Sequence, residues 1–135
     1  MGQQQLLLIV LGVIIVGIAV VVGINLFNAN AEESAKDTVV SEATNLGAMA
    51  LQYFKKPTAL GGGGNSFLNF NNGTTSVVPA NLLKTQAAGY TIDATAADKC
   101  TIVGDPTKSS GTASSYTWKV TVTVDKDGVY TTTIL

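Results

Sequence analysis

The chain has 135 residues, enough for one domain with an appendage. Only 13% of them are charged, the formal net charge is −1, and neither His nor Arg occurs. A histidine general base, a Ser-His-Asp triad, a His-ligated metal and a basic nucleic-acid footprint are therefore excluded, and a lone cysteine, Cys100, closes no intrachain disulfide or thiolate zinc site.

The first charged side chain is Glu32. Before it, Leu6 to Ile24 is an unbroken run of apolar residues and glycine, and Leu26 and Phe27 extend it past Asn25. As a helix, the 22 residues from Leu6 to Phe27 reach roughly 33 Å, enough for a bilayer core of about 30 Å. A helix that is apolar all round has no face to offer water. Three fates fit such a segment: a cleaved secretory signal, a permanent membrane anchor, or a helix that rests in the membrane and later packs among copies of itself. The entry, Met1-Gly2-Gln3-Gln4-Gln5, lacks the basic residues of a secretory signal. For the third fate the packing residues are Leu6, Leu7, Leu8, Ile9, Val10, Leu11, Val13, Ile14, Ile15, Ile18, Val20, Val21, Ile24 and Phe27. Gly12, Gly17 and Gly23 lower helix propensity and mark where the helix can unwind on leaving lipid. Ala19 and Gly23 also form a small-xxx-small pair that permits close helix approach.

The helical pattern continues. No proline falls between Asn28 and Phe54, and Val39, Ala43, Leu46, Ala50 and Tyr53 recur at steps of three and four. Lys55 and Lys56 complement the helix dipole and Pro57 stops the helix. One helix of about 50 residues is predicted, apolar in its first half and amphipathic in its second. Gly61-Gly62-Gly63-Gly64 then reads as a flexible connector; it lacks the Lys-Ser or Lys-Thr of a phosphate loop.

The remainder reads as short strands: Ser66–Phe70, Thr75–Val78, Tyr90–Ala94, Lys99–Val103, Tyr116–Val124 and Val129–Leu135. In Tyr116–Val124 apolar and polar residues alternate over the whole length. Asp125-Lys126-Asp127-Gly128 is a hairpin turn rather than a calcium loop. An antiparallel meander with one wet face needs a cover for the other. The amphipathic half-helix is the available cover, with Val39, Ala43, Leu46, Ala50 and Phe54 against Trp118, Val120, Val122 and Ile134. Cys100 reads as a small buried hydrophobe, Asp98 and Asp105 as solvated loop residues. Asn72-Gly73-Thr74 is a candidate N-glycosylation sequon. No pair of carboxylates stands in a catalytic context, so catalytic, cofactor and metal sites are expected to be absent.

The stretch GQQQLLLIVLGVIIVGIAVVVGINLF, continued by the amphipathic segment to Phe54 and a small sheet, resembles the type IV pilins and related pilin-like filament subunits. The resemblance implies a precursor cut by a membrane prepilin peptidase just after a glycine and polymerised by an ATPase-driven pilus assembly machine. It implies a mature chain that begins at Met1, or at Gln3 if cleavage follows Gly2. Bacterial members usually carry a glutamate at the fifth mature position, proposed to pair with a neighbour's N-terminal amine. Gln5 takes that place if Met1 is first and accepts a hydrogen bond but not an ion pair; Leu7 takes it if Gln3 is first. The mid-helix proline and paired C-terminal cysteines of many bacterial pilins are absent from this sequence.

The expectation is an α+β chain of three parts: a hydrophobic N-terminal helix segment at 1–27, its amphipathic continuation at 28–56 and a β-rich head at 57–135. Its expected role is structural, as a subunit of an extracellular, type IV pilus-like filament at the cell surface that sits in the membrane before assembly and polymerises by burying its N-terminal helix. The expected partners are copies of itself, with no nucleic acid. The alternative is a membrane-anchored, pseudopilin-like or minor component of a secretion or adhesion machine.

Overall fold

The computed structural model describes residues 2–71, 77–111 and 115–135. Gly2–Lys55 forms helix α1, and Ala80–Leu83 a single turn, α2. Four strands follow: β1 (Gly89–Asp93), β2 (Lys99–Asp105), β3 (Val120–Asp125) and β4 (Tyr130–Ile134). They form one antiparallel sheet in sequence order. The fold is therefore α+β. The chain divides into two compact units, Met1–Ala35 and Lys36–Leu135. The first is helix throughout its described residues.

In the second unit, the last five turns of α1 lie against the sheet. Val39, Ala43, Leu46, Gly47, Ala50, Tyr53 and Phe54 are buried, as the three- and four-residue spacing requires. On the sheet, Cys100 pairs with Val124, Ile102 with Val122 and Gly104 with Val120. The five side chains among them are fully buried, while Thr121 and Thr123 face the other side, half-buried. Gly104 is the close-approach point: a Cβ there would lie 2.6 Å from Val39 Cγ1 and 2.9 Å from Tyr90 Cε1.

Ile134 departs from expectation. It pairs with Val120 and so shares its face, yet it is 47% exposed, and every residue of β4 is exposed. A helix about 10 Å wide covers roughly two strands spaced about 4.8 Å apart, so the fourth strand lies beyond it. The Tyr130 ring reaches back, to within 2.9 Å of where a Gly47 Cβ would stand.

The tetraglycine segment is no loose connector. The last carbonyls of a helix need external donors, and this segment supplies them. Gly63 N–H donates to Tyr53 O (2.8 Å), Gly64 N–H to Lys56 O (3.0 Å) and Asn65 N–H to Phe54 O (2.7 Å). The backbone folds back so tightly that a Cβ at Gly62 would sit 2.2 Å from Lys56 O, and one at Gly63 1.9 Å from Ser66 O. Gly61 closes the preceding 3₁₀ turn with a left-handed φ of 81°.

Ser66–Phe70 is not a strand. Asn65, Asn69 and Asn71 adopt φ of 65°, 67° and 59°, conformations that asparagine tolerates and an extended ladder does not. Phe67 and Phe70 are nevertheless fully buried. Phe67 stacks on Phe54 at 4.6 Å between centroids, Phe70 lies 5.4 Å from Tyr53, and the Tyr53 hydroxyl donates to Leu68 O at 3.1 Å. Thr75 and Ser76 lie outside the described residues, and Val77 and Val78 join no ladder. The strand expected from Tyr116 begins only at Val120, and Tyr116–Lys119 precedes it outside any strand. Lys119 and Leu135 exchange two 2.9 Å backbone bonds, Trp118 is buried, and Tyr116 stacks on it at 5.5 Å.

Candidate functional site

The first unit carries an apolar surface that none of the described residues covers. Among the described residues, 17 large apolar side chains between Leu6 and Phe27 are exposed, from 51% at Leu11 to 75% at Phe27. The segment is long and apolar enough to cross a membrane, and none of its most apolar 18-residue stretch is buried within the molecule. Every packing residue named from the sequence lies on this surface. Val16, Val22 and Leu26, omitted from that set, belong to it equally at 62%, 58% and 61% exposed. The apolar run, interrupted at Asn25, is the signal that includes them.

Gly12, Gly17 and Gly23 lie within unbroken helix. A Cβ at any of them would meet nothing within 4 Å, so no contact inside the chain requires glycine there. Gln5 is exposed on the second turn. No titratable side chain occurs between Gly2 and Ala31, so the segment has no acid–base chemistry to offer. What it offers is area. Fully burying each large side chain stabilises by about 1.5–3 kcal/mol, and the set together by a few tens of kcal/mol on the same scale.

Several polar groups of the second unit are tied up in structure. On β1, the Tyr90 hydroxyl donates to Glu42 Oε2, and the Thr85 hydroxyl donates to the same oxygen at 2.7 Å. Burial, then the neighbouring carboxylate, pushes the Tyr90 phenol above its ordinary range, so it stays protonated. Asp105, expected as a solvated loop residue, is instead 5% exposed at the end of β2. It accepts from Thr107 Oγ1 (2.6 Å) and Thr107 N–H (3.0 Å) and pairs with Lys119 Nζ at 3.2 Å. Burial pushes its carboxyl up, but these partners together outweigh that and hold it below its ordinary value. Cys100 is fully buried, and burial, helped by Asp93, pushes its thiol up to about 12. It is a packed side chain and not a nucleophile.

An open hollow of about 420 Å³ lies among Leu83, Lys84, Gly89, Tyr90, Thr91, Thr107, Lys108 and Ser109. Its phenol and its Thr107 hydroxyl are committed to Glu42 and Asp105. Among the described residues no cluster of three or more His, Cys, Asp or Glu could hold a metal ion. Asn72, the candidate glycosylation position, lies outside the described residues. No known protein family, curated protein or solved structure matches the chain.

Proposed function

We propose that this chain is a structural subunit of an extracellular, type IV pilin-like filament, held together by burying Leu6–Phe27 of each copy among the same segments of its neighbours. One observation carries the reading: a helix segment, apolar but for Asn25, whose large apolar side chains are all exposed and which none of the described residues covers. In a bilayer, lipid covers it, so the membrane is the proposed station before assembly. Outside lipid the cover must come from other molecules, and identical segments are the partners the sequence itself guarantees. A contact between unlike faces that does not close on itself propagates into a filament.

The chemistry of the subunit is cohesion, not catalysis. A prepilin peptidase and a pilus assembly machine are the proposed handlers, with Gln5 the proposed acceptor for a neighbour's N-terminal amine. The exposed surface of the fibre would then be the second unit, rich in Thr on its strands.

Shearing cells that make the protein, then imaging and sequencing the released material, tests this reading. Extracellular fibres containing this chain with residues 6–27 intact are expected. Recovery solely from the membrane fraction, as a detergent-soluble monomer, would overturn the filament and leave the anchored component of a secretion or adhesion machine.

A further inference from the structure

β4 is an edge strand with a free side. Leu135 exchanges both backbone bonds with Lys119, and Asp125 N–H donates to Val129 O. Bonded pairs alternate along an antiparallel ladder, so Thr131 and Thr133 also bond inward to β3. Tyr130, Thr132 and Ile134 therefore aim their N–H and C=O groups outward, and among the described residues nothing pairs with them. Natural edges are guarded by lysine, proline, bulges or an inward charge. Val129–Leu135 contains none of these residues, and the ladder with β3 runs without a bulge. The opposite edge differs: β1 is bridged at Gly89 by the Lys84 backbone and ends on Asp93.

We propose that β4 pairs with β4 of a second copy of this chain, antiparallel and centred on Thr132. The sequence Val-Tyr-Thr-Thr-Thr-Ile-Leu is complementary to itself in that register. Thr132 meets Thr132, Tyr130 meets Ile134, Thr131 meets Thr133, and Val129 meets Leu135. Aromatic–β-branched and Thr–Thr pairs are the favourable cross-strand combinations, and with no charged side chain in the segment no like-charged side chains are brought together. The outward groups of Tyr130, Thr132 and Ile134 would form about six N–H···O=C bonds, while the 38% and 47% exposed side chains of Tyr130 and Ile134 cover one another. A five-residue edge is small beside a stable interface, so a single contact is weak and gains from repetition. The pairing itself does not rest on the filament reading. Given that reading, a two-fold contact cannot propagate along one polar filament and instead joins neighbouring filaments side by side.

Cysteine cross-linking of the full chain in mild detergent micelles tests the pairing without requiring filaments. In the proposed register two copies of Thr132→Cys have Cα atoms about 5.5 Å apart, within disulfide reach. Two copies of Thr131→Cys lie diagonally, about 7–8 Å apart. Both positions are exposed, and buried Cys100 is common to all variants. Under mild oxidation Thr132→Cys is expected to form at least about tenfold more dimer than Thr131→Cys. Adding Ile134→Lys, which sets a charge against Tyr130, is expected to lower that yield with the Trp118 fluorescence of the fold unchanged. Equal yields from the two cysteine variants, or a yield that Ile134→Lys leaves unaltered, would overturn the proposal.

Discussion

The Tyr90 hydroxyl donates to the Glu42 carboxylate, joining the first strand of the sheet to α1. It is a polar clasp beside buried apolar residues of α1 that include Val39, Ala43 and Leu46. Tyr90→Phe leaves Thr85 as partner of Glu42 and is expected to cost about 1–2 kcal/mol of unfolding free energy, read from urea unfolding followed by Trp118 fluorescence in mild detergent. Alkaline pH gives a second readout. The unfolded phenol ionises near pH 10, whereas the folded one holds its proton. The unfolded state therefore sheds the proton first, and stability falls as pH rises above about 10. Cys100, raised from 9.0 to about 12, adds a loss that begins nearer pH 9. Tyr90→Phe should flatten the limb above pH 10 and keep the part that belongs to Cys100.

On the acid side the sign reverses. The Asp105 carboxyl is held below its ordinary 3.8 by Thr107 and Lys119 in spite of burial. Its contribution is complete above about pH 4 and is lost as pH falls through the lower folded value. Asp105→Asn should therefore be less stable at pH 7 and show a shallower decline below pH 4 in the same unfolding assay. Lys119 is half exposed, so Lys119→Ala should cost less than about 1 kcal/mol.

The glycines at the end of α1 separate two kinds of requirement. Gly61 has open space and a positive φ, so Gly61→Ala should cost about 1 kcal/mol of backbone strain. Gly63 has no space at all, because a Cβ would overlap the Ser66 carbonyl at 1.9 Å. Gly63→Ala should cost at least about 2 kcal/mol and expose the Tyr53 carbonyl of the helix end. Thermal unfolding of the pair of variants checks the order; equal effects would contradict the account of the cap.

Gly104 and Val39 form a similar test inside the core. Gly104→Ala should destabilise by about 1–3 kcal/mol through overpacking. Combining it with Val39→Ala should give less than the sum of the two single losses, since the smaller residue vacates the contested space. Additive losses would mean that the two residues do not meet.

The long helix and its buried face were legible from local periodicity, and the four strands were among six read from the sequence, of which Ser66–Phe70 is not a strand. Val39, Ala43, Leu46 and Ala50 read as one face in sequence and are one face in space. Features that depend on non-local geometry were not legible. Ile134 alternates correctly, but whether a helix reaches over it depends on strand order and helix width. The tetraglycine looks slack as composition; its role emerges only where the Tyr53 and Lys56 carbonyls at the end of the helix need donors. Asp105 looks like a loop aspartate until Lys119, fourteen residues on, folds beside it. The apolar surface at Leu6–Phe27 was legible as a run with no polar side chain but Asn25, although Val16, Val22 and Leu26 were left out of the packing set.

The central claim is that Leu6–Phe27 finds its cover outside lipid in other copies of the same chain. The most direct measurement removes detergent from the purified full chain and follows it by sedimentation and electron microscopy, with hydrogen exchange at residues 6–27. The account predicts ordered polymers in which those amides are protected. Stable, soluble single copies with the segment intact and exposed to water would contradict it.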